Sequence, residues 1–155
     1  MDEWIDEEIR RVKEIDAEKT RQEERDKALS SQKASLWNDI TYLAKEAIGK
    51  INASPEIVKK LGGSKLDYQE LNIHSFQVAK PTYPAVYLTV TNAHVHVRLD
   101  RKLVTNGQSR NVTEQQEKLE IGLDSSGLIF LKTPEGGAMT VTDAVRYMLK
   151  PLLNY

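Results

Sequence analysis

The first fifty residues constrain the fold most, because they contain no proline and a single glycine, Gly49. Good helix formers dominate the stretch from Asp2 to about Ile51, and acidic side chains stand four residues before basic ones, as Asp6 does before Arg10. Each such pair stabilises an isolated helix by about 0.2–0.5 kcal/mol, and the residue preferences favour the same state. The sequence therefore predicts one long charged helix, in which the adjacent serines at positions 30 and 31 are the easiest place for a break.

Apolar residues divide this helix into three parts. Between positions 29 and 51 they recur at steps of three and four, so we predict that this part packs on the protein's own core. Positions 16–27 are almost wholly polar and would bury nothing. The first turns carry a second apolar set, which we call the apolar stripe. It consists of Trp4, Ile5, Ile9 and Val12.

The apolar stripe has two interpretations. It is a docking or self-association segment, acting either as a coiled-coil seam or as a helix laid in a partner's groove. Alternatively, the N-terminal arm, residues 1–28, is a frayed or disordered charged tail, because the stripe covers barely two heptads, fewer than the three to four that establish a coiled coil. In the first interpretation, the partner is a second copy of this chain, giving a homo-oligomer, or another protein.

Composition excludes several classes of function. Positions 1–29 hold 11 acidic and 7 basic residues, and positions 30–155 hold 12 acidic and 15 basic residues. Neither part therefore has the basic excess of a nucleic-acid binder. The absence of cysteine excludes disulfides, thiolate metal sites and a cysteine nucleophile. The start of the chain does not resemble a signal peptide, and no apolar run approaches the roughly 20 residues of a membrane span. We therefore expect a cytoplasmic protein without a membrane partner.

The remainder, residues 29–155, is predicted to be a single α+β domain. A short helix begins at Ser54-Pro55 and ends at Gly62-Gly63. A C-terminal amphipathic helix begins near Thr140 and packs on one face of the sheet. Between them, alternating segments predict an antiparallel meander of about five strands. These strands fall at 71–79 (with a bulge), 85–91, 94–104, 118–123 and 128–132, with a type I′ turn at Asn106-Gly107 and a polar connection over 108–116.

The face of the sheet opposite the helices is the second candidate site. His94 and His96 stand two apart in one predicted strand, so both could face one metal ion or ligand, with His74 or Glu120 as a third group. The simpler interpretation is an exposed polar face that tolerates histidine, and we predict no metal or cofactor. The candidate ligand-binding face consists of Tyr87, His94, His96, Arg98 and Glu120.

No motif in the sequence establishes a chemistry. A serine elbow of the G-x-S-x-G type is absent. The segment 62–65, Gly-Gly-Ser-Lys, follows a predicted helix rather than a strand and lacks the spacing of a phosphate-binding loop. The leading hypothesis is a non-enzymatic interaction or scaffold protein that docks through its N-terminal helix. The alternative is a module that binds a small ligand or metal on the polar sheet face, either as a binding protein or as an enzyme.

Overall fold

The computed structural model of this chain describes residues 2–105 and 111–154. Helix α1 spans Glu3–Asn52 without interruption, which confirms the predicted long helix and shows that the serines at positions 30 and 31 do not break it. Helix α2, Pro55–Lys60, follows directly and is capped by Ser54, whose side chain accepts a hydrogen bond from the Ile57 backbone N–H.

The described residues contain seven strands, which form one antiparallel sheet in chain order. The α+β class and the meander are therefore confirmed, whereas the prediction of about five strands was too low. The strands are β1 Asp67–Asn72, β2 Ser75–Lys80, β3 Ala85–Asn92, β4 His96–Thr105, β5 Asn111–Leu123, β6 Ile129–Lys132 and β7 Ala138–Met139.

Two further differences from prediction have local physical causes. The predicted bulged strand over 71–79 is two strands, because the Asn72 side chain accepts a hydrogen bond from the His74 N–H at 2.8 Å and closes a tight turn between β1 and β2. The predicted polar connection over 108–116 belongs in part to β5, whose residues from position 111 onward pair with β4. The predicted Asn106-Gly107 turn lies outside the described residues.

The core lies between one face of the sheet and two helices. Helix α3 spans Val141–Leu149 and continues as a 3₁₀ helix over Lys150–Asn154. As predicted, Thr140 caps α3, accepting a hydrogen bond from the Asp143 N–H at 3.2 Å. Each large apolar side chain buried here stabilises the fold by about 1.5–3 kcal/mol. The fully buried set includes Ile40, Phe76, Leu88, Leu99, Leu119, Leu131, Met148 and Leu152.

Two side chains fasten α1 to the sheet. The Gln32 amide donates to the Gly127 carbonyl at 2.6 Å and accepts from the Ile129 N–H at 2.8 Å. The Trp37 indole donates to the Ile73 carbonyl at 3.1 Å. Because Gln32 makes the first of these attachments along α1, residues 3–28 extend beyond the body. At 1.5 Å per residue this part of the arm is about 39 Å long.

A polar cluster joins β4, β5 and α3 on the helix side of the sheet. The Arg101 guanidinium donates to one oxygen of the Glu117 carboxylate at 2.9 Å, and the Tyr147 hydroxyl donates to the other at 2.5 Å. The hydrogen bond to Glu117 is the main cause that raises the pKa of Tyr147 to about 12, and burial adds to it. The cluster links α3 to the two longest strands.

Candidate docking surface

The structure places the four predicted partner-binding residues on the arm, where their side chains are exposed. Trp4 is 66% exposed, Ile5 39%, Ile9 48% and Val12 53%. Ile15, one turn beyond Val12, is 59% exposed and extends the same side of the helix. A contiguous exposed apolar patch of this kind is typical of interaction sites rather than of solvated surface.

The side chains of the described part of the arm form exposed polar pairs along its length. Glu8 and Arg11 approach to 3.2 Å, and Glu18 and Arg21 to 3.0 Å. Such pairs contribute about 0.3–0.5 kcal/mol each at most. Since isolated helices are marginal in water even with favourable sequences, covering the apolar stripe would add more to the stability of the arm than its ion pairs do.

A second apolar surface, which the sequence did not predict, lies between α1 and α3. We call it the helix groove; its volume is about 470 Å³. The rim is more basic than acidic, with Lys50, Arg146 and Lys150 against Glu46. The apolar walls are formed by Leu43, Ala47 and Ile51 of α1, by Val145 and Leu149 of α3, and by Leu153 of the 3₁₀ helix that follows α3.

Sequence periodicity assigned the α1 wall of the helix groove to the core. In the structure, contact with the sheet is made by the neighbouring row of Leu36, Ile40, Ala44 and Ile48, all of which are buried. The groove residues of α1 are only partly buried. The signal that could have shown this is the width of the apolar face, which is two rows rather than the single row needed to cover one sheet.

The structure separates the histidines of the predicted sheet site. His94 is not in a strand, because β4 begins at His96; it lies in the turn after β3 with φ of 69°. Its ring lies 5.4 Å from that of His74. The expectation that His94 and His96 share one strand face was therefore wrong. Val95, which lies within the strand predicted over 94–104, is also outside β4 and is 66% exposed.

The remaining predicted residues of this face lie on the open side of the sheet, where two of them are brought together. His96 pairs directly with Glu120 across β4 and β5. Arg98 donates from Nε to Asp100 at 2.9 Å. Tyr87 lies farther along the sheet, on β3 beside Lys102 of β4. In residues 2–105 and 111–154, no group of three histidine or carboxylate side chains is placed to hold a metal ion.

Tyr87 does line a broad hollow on the open sheet face, with a volume of about 870 Å³. Its lining is mainly polar and includes Tyr83, Asp100, Lys102 and Glu114. The hollow is centred on the middle of β3 and β4, away from the histidines. The sequence indicated a polar face here but could not show where the curvature of the sheet would make it concave.

One buried cation was also not predicted. The Lys80 side chain is 2% exposed, and its Nζ donates to the carbonyls of Thr82 at 3.1 Å and Pro84 at 2.7 Å. Burial lowers the pKa of Lys80. Both acceptors belong to the connection between β2 and β3, so this lysine fastens a loop and does not face either candidate surface.

Comparison of the chain with protein-family models, with curated proteins and with solved structures found no match. Within the described residues, no helix combines the length and the apolar character required to cross a membrane. The geometry of the arm, the helix groove and the open sheet face is therefore the basis for assigning a function.

Proposed function

We propose that this protein is a non-enzymatic interaction protein that self-associates through its N-terminal arm. The observation that carries the proposal is the exposed apolar stripe on a helix whose residues 3–28 extend about 39 Å beyond the part that is attached to the body. A helix of that length is more than the core requires, because the buried residues of α1 begin only at Leu36.

The arrangement of charge favours docking over a solvated tail. Asp16 to Lys27 is polar on all sides, whereas Trp4 to Val12 keeps its large apolar residues on one side. A tail selected only for solubility has no need of four large apolar residues on one side of a helix. The stripe therefore supports a specific contact, made at the far end of a polar spacer.

The test compares the wild-type chain with a variant carrying Ile5→Asp and Ile9→Asp. A matched control carries Ala17→Asp and Ala28→Asp, which add the same charge to the opposite side of the same helix. We expect the wild type and the control to exceed the 17.6 kDa mass of the single chain by light scattering, and the stripe variant to fall to it. Circular dichroism checks that all three proteins remain helical.

A wild type that has the single-chain mass at every concentration up to about 100 μM would exclude self-association. Equal loss of association in the stripe variant and in the control would show that added charge, rather than the apolar stripe, is responsible. The first result would return the arm to the interpretation of a solvated tail, and the second would exclude the apolar stripe as the specific docking segment.

The hollow on the open sheet face favours a second candidate function, the binding of a small polar ligand. Tyr83 and Tyr87 offer flat surfaces for stacking, and Asp100 and Lys102 offer charges of both signs. A thermal-shift screen of the wild type against metal ions and small metabolites tests this candidate, with Tyr87→Ala as the site variant. Any shift that the variant retains would place the ligand elsewhere, and a screen without shifts would remove support for it.

A further inference from the structure

We propose that the apolar stripe of one copy of this chain docks across three hairpin turns at one end of the sheet of a second copy. This inference rests on the proposed self-association and names the surface that receives the arm. We call that surface the hairpin tips; it comprises the turns between β1 and β2, between β3 and β4, and between β5 and β6. The contact joins unlike surfaces, so each copy offers one stripe and can accept another.

The hairpin tips lie together at one end of the sheet, because alternate connections of an antiparallel meander fall at the same edge. Backbone hydrogen bonds join them sideways. The His74 carbonyl accepts from the Asn92 N–H at 2.7 Å, and the Val95 carbonyl accepts from the Ile121 N–H at 3.2 Å. The three turns therefore form one staggered row.

Each tip exposes a large aliphatic side chain: Ile73 is 81% exposed, Val95 66% and Leu128 63%. The turns do not need these side chains, because each is closed by a polar side chain that accepts a hydrogen bond from the backbone two residues on. The closing residues are Asn72, Asn92 and Asp124. Single exposed aliphatic residues are normal on a protein surface, whereas several gathered in one place mark an interaction site.

Helix α1 holds the two outer tips in place. Gln32 bonds to the Gly127 carbonyl in the third tip and to the Ile129 N–H beside it. The Trp37 indole bonds to the Ile73 carbonyl in the first tip. The aliphatic row is therefore preformed, and a docking partner would not have to order it.

The apolar stripe and the row of tips have similar lengths. From Trp4 to Ile15, the residue that extends the stripe, α1 advances about 17 Å at 1.5 Å per residue. The first and third tips are four strand spacings apart, or about 19 Å. One helix laid across the row can therefore contact all three tips.

The arm cannot reach the hairpin tips of its own chain. Helix α1 is continuous, and Val12 lies about 30 Å before Gln32, where the helix is held on the third tip. The stripe and the tips can therefore meet only between different molecules. Residues 16–27 add about 18 Å of polar helix between a docked stripe and the body that carries it, which keeps the two bodies apart.

Charge complementarity favours the same contact. Residues 2–8 include five acidic side chains and no basic one. On the sheet next to the tips, exposed Lys118 and Lys132 stand against Glu120. The Asp124 carboxylate in the third tip is already engaged by N–H groups of its own turn. A parallel pair of stripes would instead set the acidic residues against their own copies, along barely two heptads.

Complementation between two variants tests the contact. The stripe variant, Ile5→Asp with Ile9→Asp, keeps the hairpin tips, and the tip variant, Ile73→Asp with Val95→Asp, keeps the apolar stripe. We expect each alone to have the 17.6 kDa mass of the single chain by light scattering, at concentrations at which the wild type associates. Mixed in equal amounts, they should form a complex of twice that mass, because one intact stripe then meets one intact set of tips.

A matched control carries Tyr42→Asp and Val112→Asp, which replace two exposed apolar residues outside the hairpin tips. The control should associate as the wild type does, because both of its docking surfaces are intact. Circular dichroism checks that every variant keeps the fold.

The outcomes separate this inference from the proposed function. Wild-type association of the tip variant, or single-chain mass of the mixture, would overturn the inference and leave self-association through the arm in place. Single-chain mass for the wild type would overturn both proposals.

Engineered cysteines provide a second test, because the natural chain has none. Ile9 lies near the middle of the stripe and Val95 in the middle tip, so the two adjoin whichever way the helix runs across the row. We expect Ile9→Cys protein mixed with Val95→Cys protein to be linked by a short bifunctional thiol reagent. Ile9→Cys mixed with Val112→Cys, at the opposite end of the sheet, is the control and should stay unlinked.

Light scattering before the reagent is added confirms that the cysteine variants still associate. Linkage of Ile9→Cys protein only to itself would show that the stripes pair with each other and would overturn the inference. Equal linkage to Val95→Cys and to Val112→Cys would also overturn it, because the arm would then have no preference for the tips.

Discussion

Replacing Tyr147 by phenylalanine tests whether the polar cluster between β4, β5 and α3 stabilises the fold. The change removes one hydroxyl, which donates at 2.5 Å to Glu117, and keeps the ring beside the Arg101 guanidinium, whose central carbon lies 5.8 Å from its centroid. Because shape and apolar area are retained, the measured effect reports the hydrogen bond and little else.

The magnitude follows from the typical strength of such a hydrogen bond and from the pKa shift to which this bond is the main contributor. A hydrogen bond to a charged group contributes about 1.5–3 kcal/mol. The pKa of Tyr147, raised from 10.0 to about 12, corresponds to about 2.7 kcal/mol, since one pKa unit is about 1.36 kcal/mol. Tyr147 is only half-buried, so solvent screening reduces both figures. We therefore expect Tyr147→Phe to lower the free energy of unfolding by about 1–2 kcal/mol at neutral pH.

The dependence on pH has a definite sign. Because folding raises the pKa of Tyr147, through the Glu117 hydrogen bond first and burial second, its stabilising contribution is complete below pH 10 and is lost as the pH rises through about 12. The phenylalanine variant cannot show this loss. The gap in stability between the wild type and the variant should therefore close between pH 10 and pH 12.

Urea denaturation followed by circular dichroism measures these differences. With a slope of about 2 kcal/mol per molar urea, the expected change lowers the midpoint by about 0.5–1 M. Tyr42→Phe is the control, because Tyr42 is 67% exposed. Protein concentration must be the same throughout, since association would add to the apparent stability. Equal midpoints for the wild type and Tyr147→Phe, or a gap that persists at pH 12, would refute the reasoning.

Two further substitutions test the attachment of α1 and the packing of β5. Gln32→Ala removes the hydrogen bond to Gly127, in the turn before β6, and the one from Ile129, at the start of β6. We expect the free energy of unfolding to fall by about 1–3 kcal/mol and the Ile129 N–H to exchange faster. Unchanged exchange would contradict the assigned bonds. Gly122→Ala places a Cβ 2.8 Å from the Phe130 ring. We expect this change to lower the free energy of unfolding, measured by thermal denaturation, by about 1–3 kcal/mol. Adding Phe130→Ala should recover most of the loss, and no recovery would place the strain elsewhere.

The helices could be predicted from the sequence because their signals are local. The cap at Ser54 and the spacing of Ile40, Ala44 and Ile48 depend only on residues within a turn or two, and the structure agrees with both. The turn between β1 and β2 depends on the side chain of Asn72, and no alternation pattern reveals that contact. Periodicity alone could not separate β1 from β2.

The candidate sites were predictable to different degrees. The apolar stripe is a one-helix pattern, and the structure leaves it exposed where the sequence placed it. The helix groove requires two elements that are distant in sequence, so Leu43 and Val145 could not be associated in advance. The expectation that His94 and His96 share one strand face failed because a turn precedes β4. The Asn92 side chain closes this turn by accepting a hydrogen bond from the His94 N–H at 3.2 Å.

The continuity of α1 determines an orientation as well as a reach. Each added residue advances a helix by 1.5 Å and turns it by about 100°. Inserting one heptad in the polar middle would move Trp4 about 10 Å farther from the sheet while turning it by only about 20°. Inserting two residues would move it about 3 Å and turn it to the far side of the helix. The direction in which the apolar stripe faces, relative to the sheet, is therefore set by the number of residues in the spacer.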